Sequence, residues 1–210
     1  MEKTIYIIRH GETDLNKFGY IQGSGVDVGV NETGISQAKA FFNYYRHLDF
    51  EVVITSKLKR THQTMAPFIR QGLPWEQFEE INEMGWGIYE GKKGDERMRK
   101  EYRNMIKEWK KGNFNYRLDG GESAAELADR ISNFIHHLKK RKEQLVLICS
   151  HGRAMRCLMC LLQEEDLSEM EKYRHANTGL YKVIYRNHKF EFELENDIQH
   201  LSQGEQKKQV

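Results

Sequence analysis

The sequence predicts an α/β fold of three layers, with a mostly parallel central sheet between helices. Two observations carry this. Short β-branched runs at Thr4–Ile8, Val52–Ile54 and Leu145–Cys149 alternate with longer stretches of helical periodicity, as in strand–helix–strand units. Three times a strand-like run also ends in polar residues where a helix begins: at Arg9-His10, from Ser56 to Arg60, and at Ser150-His151. In open α/β sheets ligands bind beyond the carboxyl ends of the strands, so that edge is the candidate site before any residue role is considered.

The elements follow in order. Thr4–Ile8 reads as a buried strand, and the glycine-containing stretch from Asn16 to Asn31, with no apolar period, reads as loop. Thr33 is the expected cap of a helix running to about His47, with Ile35, Ala38, Phe41, Phe42 and Tyr45 as its apolar stripe. Val52–Ile54 leads into a helix over Lys57–Arg70, closed by Gly72 and Pro74. Phe78–Ile81 is a candidate short strand. Residues 92–118 hold a helical insertion with Tyr102, Ile106 and Trp109 inward, ended by Gly120-Gly121. A long helix from Glu122 to about Lys142 places its basic end on the negative pole of the helix dipole. Leu145–Cys149, a helix from Gly152 to about Leu162, and a hairpin of Leu180–Tyr185 with Lys189–Leu194 around Asn187-His188 complete a single domain over 1–201. Residues 202–210 form a polar tail.

The chain has 210 residues, enough to bury a core without disulfides or metal. Its 33 basic and 31 acidic residues nearly balance, so net charge gives no reason to expect nucleic acid or a membrane as partner. No apolar run approaches the roughly 20 residues of a membrane helix, and the first residues lack the zones of a signal peptide. A cytoplasmic domain is expected. Cys149, Cys157 and Cys160, odd in number and close together, do not form a disulfide framework and are expected as buried thiols. Cys149 and Arg156 are separated by six residues, one too many for the thiolate–arginine loop of cysteine phosphatases.

Arg9, His10, Arg60 and His151 would meet at the strand edge. Two guanidiniums with two imidazoles make a cationic pocket suited to a phosphate, since arginine donates in a planar fork. Gly11 and Gly152 allow backbone to approach a ligand, and the helix after His151 presents free amides. Neighbouring arginines depress a histidine pKa below about 6.5, leaving it neutral and nucleophilic. These features point to phosphoryl transfer.

The same residues carry a resemblance. Arg9-His10-Gly11-Glu12-Thr13 followed by Asn16 resembles the signature of the histidine phosphatase superfamily (branch 1, phosphoglycerate mutase-like). Further segments match in order: Gln22-Gly23, Gly34 with Gln37-Ala38, Ser56 through Arg60 to Thr64, Ile81-Asn82-Glu83 through Gly91, Gly120-Gly121-Glu122-Ser123, and Ser150-His151-Gly152. The resemblance implies the phosphoglycerate mutase-like fold and a phosphatase on a small phosphorylated metabolite. It implies His10 as nucleophile and Arg9, Arg60 and His151 as phosphate ligands. Asn16, Thr13, Gly152 and the Gln22 or Gly23 amide would complete the pocket, and Glu83 would be the general acid and base. No metal or other cofactor is implied, because the arginines neutralise the charge. Asp27-Val28-Gly29-Val30 replaces the usual Asp-x-Pro-Leu of the rim, and Leu15 and Thr61 replace common tryptophan and alanine.

Two alternatives stand beside this reading. A mutase would return the phosphoryl group to product, but mutases share a longer insertion than the about 28 residues between Gly91 and Gly120. A non-catalytic phosphate-binding domain would keep the pocket without turnover. The stretch Lys92–Arg117, with ten basic and four acidic residues, is either a solvated helix face or a lid whose Lys92, Lys93, Tyr116 or Arg117 touches substrate. His62, just after Arg60, is the further histidine expected nearest the site.

Overall fold

The computed structural model describes residues 2–202, so the expected tail lies outside them apart from Ser202. Six strands form one sheet in the order β3-β2-β4-β1-β5-β6. These are β1 (Lys3–Arg9), β2 (Val52–Thr55), β3 (Trp75–Gln77), β4 (Leu145–Ser150), β5 (Leu180–Arg186) and β6 (Lys189–Asp197). The first four in chain order pair in parallel, and the β5–β6 hairpin adds antiparallel strands at the β1 side. The fold is therefore the mixed α/β sandwich expected. The hairpin turn is also as expected, with Asn187 and His188 at φ 50° and 65°, the pair of left-handed residues that a tight two-residue hairpin needs.

Strand alternation sorts the core into two layers. Ile5, Ile7, Val52, Ile54, Val146 and Ile148 face helices α4 (Glu96–Lys110), α5 (Ala124–Lys140) and α6 (Gly152–Leu162). Tyr6, Ile8, Val53, Leu147 and Cys149 face α2 (Glu32–Tyr45) and α3 (Lys59–Ile69). A short α1 (Asp14–Phe18) precedes α2, and α7 (Gln199–Ser202) follows β6. All three cysteines are buried free thiols, which burial holds well above the usual thiol pKa.

Several local expectations are corrected. The strand beyond β2 is Trp75–Gln77, not Phe78–Ile81, and Glu79–Ile81 is a 3₁₀ turn. Its polar edge residues show no apolar alternation; the Trp75 indole bonds Thr55 Oγ1 (2.9 Å), and Phe78 N–H bonds the Thr55 carbonyl (2.9 Å) to end the ladder. Asn31, not Thr33, caps α2: its Oδ1 accepts from Gly34 N–H (2.9 Å), while its amide nitrogen donates to Glu12 (2.9 Å). Ile35 lies on the outer face of that helix, 58% exposed. Asn16–Phe18, expected as the start of a loop, belong instead to α1, because Thr13 caps Asn16 N–H (3.1 Å) and Gly19 closes the turn at φ 74°. In α4, Met105 joins Trp109 in the core, with Tyr102 and Ile106 only partly buried.

Candidate active site

Parallel pairing places the two histidines. Arg9 is in register with Ser150, so β1 and β4 end at the same level and His10 and His151 leave the sheet side by side. Their ring centroids are 5.1 Å apart. His10 N–H is fixed to the Ser150 carbonyl (3.0 Å), and Asn177 Nδ2 donates to the His10 carbonyl (2.9 Å). His10 Nδ1 lies 2.7 Å from the Gly11 carbonyl oxygen. A carbonyl only accepts, so Nδ1 carries the proton and Nε2 keeps a free lone pair. Gly11 itself has no room for a side chain: a Cβ there would stand 2.7 Å from the Gly34 carbonyl oxygen of α2.

Two arginines enclose the pair. Arg9 Nη1 donates to the His175 carbonyl (3.0 Å), which fixes the guanidinium, whereas its buried Nε has no hydrogen-bond partner among the described residues. A buried charged donor without an acceptor is costly, and an anion would satisfy it. Arg60, from the first turn of α3, is fully buried and donates from Nε to His151 Nδ1 (3.0 Å). Its Nη1 and Nη2 reach the carbonyls of Val26 (2.8 Å) and Gly23 (3.3 Å). Because His151 Nδ1 accepts, its Nε2 carries the proton and donates to Ser56 Oγ (2.8 Å).

Electrostatics keep both imidazoles neutral. The His10 pKa is held well below 6.5, first by burial and then by the charges of Arg9 and Arg60. That of His151 is also held well below 6.5, by burial, then by Arg60, His10 and Arg9. The depression expected from the sequence is present, with burial ahead of the arginines as its cause. Arg60 is pushed down to about 10 by burial and stays charged at neutral pH.

Glu83 lies beside Gly152, as Arg9 does. It follows the 3₁₀ turn, is 7% exposed, and accepts from its neighbour Met84 N–H (2.9 Å). The amides of Arg153 (3.1 and 3.2 Å) and Ala154 (3.1 Å) at the start of α6 also donate to it. The free amides that open a helix are well placed to hold an acceptor oxygen, and here they fix the Glu83 carboxyl group. Gly152 stands between the two groups: a Cβ on it would lie 3.6 Å from Arg9 Nε and 3.7 Å from Glu83 Oε2. The space its missing side chain leaves is thus open to both the guanidinium and the carboxylate.

The remaining predicted residues join through Arg60. The Gln22 carboxamide donates to Thr13 Oγ1 (2.8 Å) and accepts from Arg60 Nη1 (3.1 Å). Gln22 thus meets Arg60 through its side chain and Gly23 meets it through its carbonyl. Asn16 joins through its own amide to Thr13 and through Oδ1 to Asn177 Nδ2 (3.5 Å). His62 stays behind Ser56, its Nε2 2.7 Å from the Ser56 carbonyl oxygen. Arg117 pairs with Glu126 (2.7 Å) and Tyr116 accepts from Asn104 (2.9 Å), while Lys92 and Lys93 are exposed. Sequence reasoning did not single out His175, Asn177 or Val26. The first two lie far along the chain in a segment without periodicity, and Val26 contributes only a carbonyl. Among the described residues no three His, Cys, Asp or Glu side chains converge as a metal-binding group.

Comparison with known proteins decides the family. The profile of the histidine phosphatase superfamily (branch 1) matches residues 5–198. The chain belongs to that superfamily. A probable phosphatase of Schizosaccharomyces pombe, C1687.21, is 30% identical over 196 residues, covering 88% of each chain. Phosphoserine phosphatase 1 of Hydrogenobacter thermophilus is 30% identical over 183 residues, covering 86% of this chain and 85% of that protein. Among solved structures, the phosphoserine phosphatase of Entamoeba histolytica in complex with 3-phosphoglyceric acid superposes with a TM-score of 0.78 at 25% identity, covering 95% of this chain and 99% of that one. With these relatives, the chain is a phosphomonoester hydrolase of the superfamily.

Proposed function

We propose that the chain hydrolyses the phosphomonoester of a small cytoplasmic metabolite through a phosphohistidine on His10, with arginines doing the charge neutralisation that a metal does elsewhere. Arg9, Arg60 and His151 bind the phosphoryl oxygens, and the free Arg9 Nε supplies a donor. The His10 Nε2 lone pair attacks phosphorus as the bond to the ester oxygen breaks. Glu83, in its acid form, gives its proton to that leaving oxygen. Water then enters; Glu83, now a carboxylate, takes a proton from it as its oxygen attacks phosphorus. The P–N bond breaks, its electron pair returns to His10, and inorganic phosphate leaves. Thr13, Asn16 and Gln22 hold Arg60 and the pocket wall, and Gly152 keeps the space between Arg9 and Glu83 open.

The observation that carries this reading is the His10 tautomer. A neutral imidazole with Nδ1 committed to the Gly11 carbonyl presents Nε2 in a pocket whose nearest strand-edge arginine has an unsatisfied donor. Electrostatic stabilisation of the transferring group by such prepositioned donors is commonly the largest catalytic term. Three buried thiols that form no disulfide support a reducing compartment.

Hydrolysis of p-nitrophenyl phosphate in EDTA, by the wild type beside His10→Ala, tests the proposal, followed by a panel of phosphorylated metabolites. Turnover that survives the chelator and is lost in the variant is expected. Loss of turnover in EDTA, or a fully active variant, overturns it. Phosphoryl exchange between phosphoglycerates without hydrolysis would make the chain a mutase instead.

A further inference from the structure

The carboxylate of Glu83 is useful only if it stands at the leaving oxygen, and the segment that carries it has little regular structure of its own. From the 3₁₀ turn Glu79–Ile81 to Gly85 no strand or helix fixes the backbone. Arg130, in the middle of α5, faces this segment. Its Nη1 donates to the carbonyls of Glu80 (2.6 Å) and Asn82 (2.9 Å), and its Nη2 to the carbonyl of Glu83 itself (3.3 Å). Nε and Nη2 close a bidentate pair with Glu122, at 2.6 and 2.9 Å. A guanidinium has five N–H donors, and every one is used here. Glu122 completes the frame at the other end: its Oε2 accepts from Gly85 N–H (3.2 Å), and its own N–H donates to the Gly85 carbonyl (2.9 Å).

We infer that the Arg130–Glu122 pair is the positioning device for the general acid, fixing residues 80, 82, 83 and 85 so that the Glu83 side chain meets the amides opening α6. The inference rests on Glu83 being that acid. The pair touches neither His10 nor Arg9, so it acts through Glu83 and not on the phosphate. Lysine keeps the charge at position 130 but offers three donors from one point, and cannot span three carbonyls and a carboxylate. Glutamine at 122 keeps the shape and loses the charge that orients the guanidinium.

The leaving group separates positioning from general damage. p-Nitrophenolate departs without a proton, whereas the alkoxide of an alkyl phosphate such as phosphoserine needs one. Pre-steady-state release of phenol or alcohol reads the P–O cleavage step alone. Arg130→Lys and Glu122→Gln are expected to slow alkyl release about 100-fold, within the range of general-acid contributions, and phenol release only a few-fold. KM should stay near wild type. Glu83→Gln should show the same selectivity more strongly, and Arg130→Lys added to it should slow alkyl release little further. Equal loss for both leaving groups in Arg130→Lys and Glu122→Gln, or fully multiplicative loss in the double variant, overturns the inference. Absence of selectivity in Glu83→Gln itself refutes the acid assignment instead. If Arg130→Lys does not fold, Glu122→Gln, which keeps the guanidinium, decides alone.

Discussion

Acidification should destabilise this protein before its carboxylates titrate, because its fold holds four histidines neutral. His10 and His151 lie well below 6.5 through burial first; burial likewise pushes His175 to about 3 and His200 to about 4. Their folded pKa values are depressed, so as pH falls through about 6.5 the unfolded chain takes up protons that the folded chain refuses. Stability is therefore full above that value and declines below it, until each folded pKa is reached. At pH 5.5 each such group costs the fold about 1.4 kcal/mol relative to the unfolded chain. Four together give roughly 5 kcal/mol, which compares with about 5–15 kcal/mol for a whole domain. Urea unfolding in phosphate-free buffer at pH 7.5, 6.5 and 5.5 measures it, and proton uptake on unfolding at pH 5.5 should approach four. His200→Asn, which removes one group, should reduce that loss by about a quarter. A free energy of unfolding that changes by less than about 1 kcal/mol between pH 7.5 and 5.5 would refute the reasoning.

Two further perturbations test the frame around the site. Gly34→Ala places a Cβ 2.2 Å from the Glu12 carbonyl oxygen, a backbone atom that cannot swing away. It should destabilise by about 1–3 kcal/mol, measured by urea unfolding, and a variant as stable as wild type would show that α2 does not press on the signature loop. Arg9→Ala removes the unsatisfied Nε donor. It should lower kcat/KM by about 10²–10³-fold with the fold retained, and Arg9→Lys should recover only part of that. Wild-type kcat/KM in either variant would mean that the guanidinium does not meet the transferring group.

How far the sequence could be read depended on where each signal arises. The ends of β1 and β4 were legible because runs of four and five apolar residues stop abruptly at Arg9-His10 and Ser150-His151, and parallel register then brings the two histidines together. Arg60 was legible as the start of a helix after a buried strand. Strand β3 was misplaced because an edge strand with half-exposed Trp75, Glu76 and Gln77 has no buried face to impose alternation. The cap of α2 was misplaced by two residues because Asn31 is selected by a long-range bond to Glu12 as well as by the helix. Glu83 had no local signal at all: its place is set by amides 70 residues away, and only the family resemblance singled it out. Arg130 reads in the sequence as one more polar position on an amphipathic helix, and its five bonds are visible only in three dimensions.

The phosphohistidine is the central claim, and trapping it is the most direct measurement. Wild-type protein mixed with radiolabelled phosphomonoester and quenched within milliseconds should carry label that acid removes and alkali does not. After digestion that label should map to the peptide containing His10, and it should be absent from His10→Ala. A wild type that turns over without labelling, or label that maps to His151 or another residue, would contradict the account.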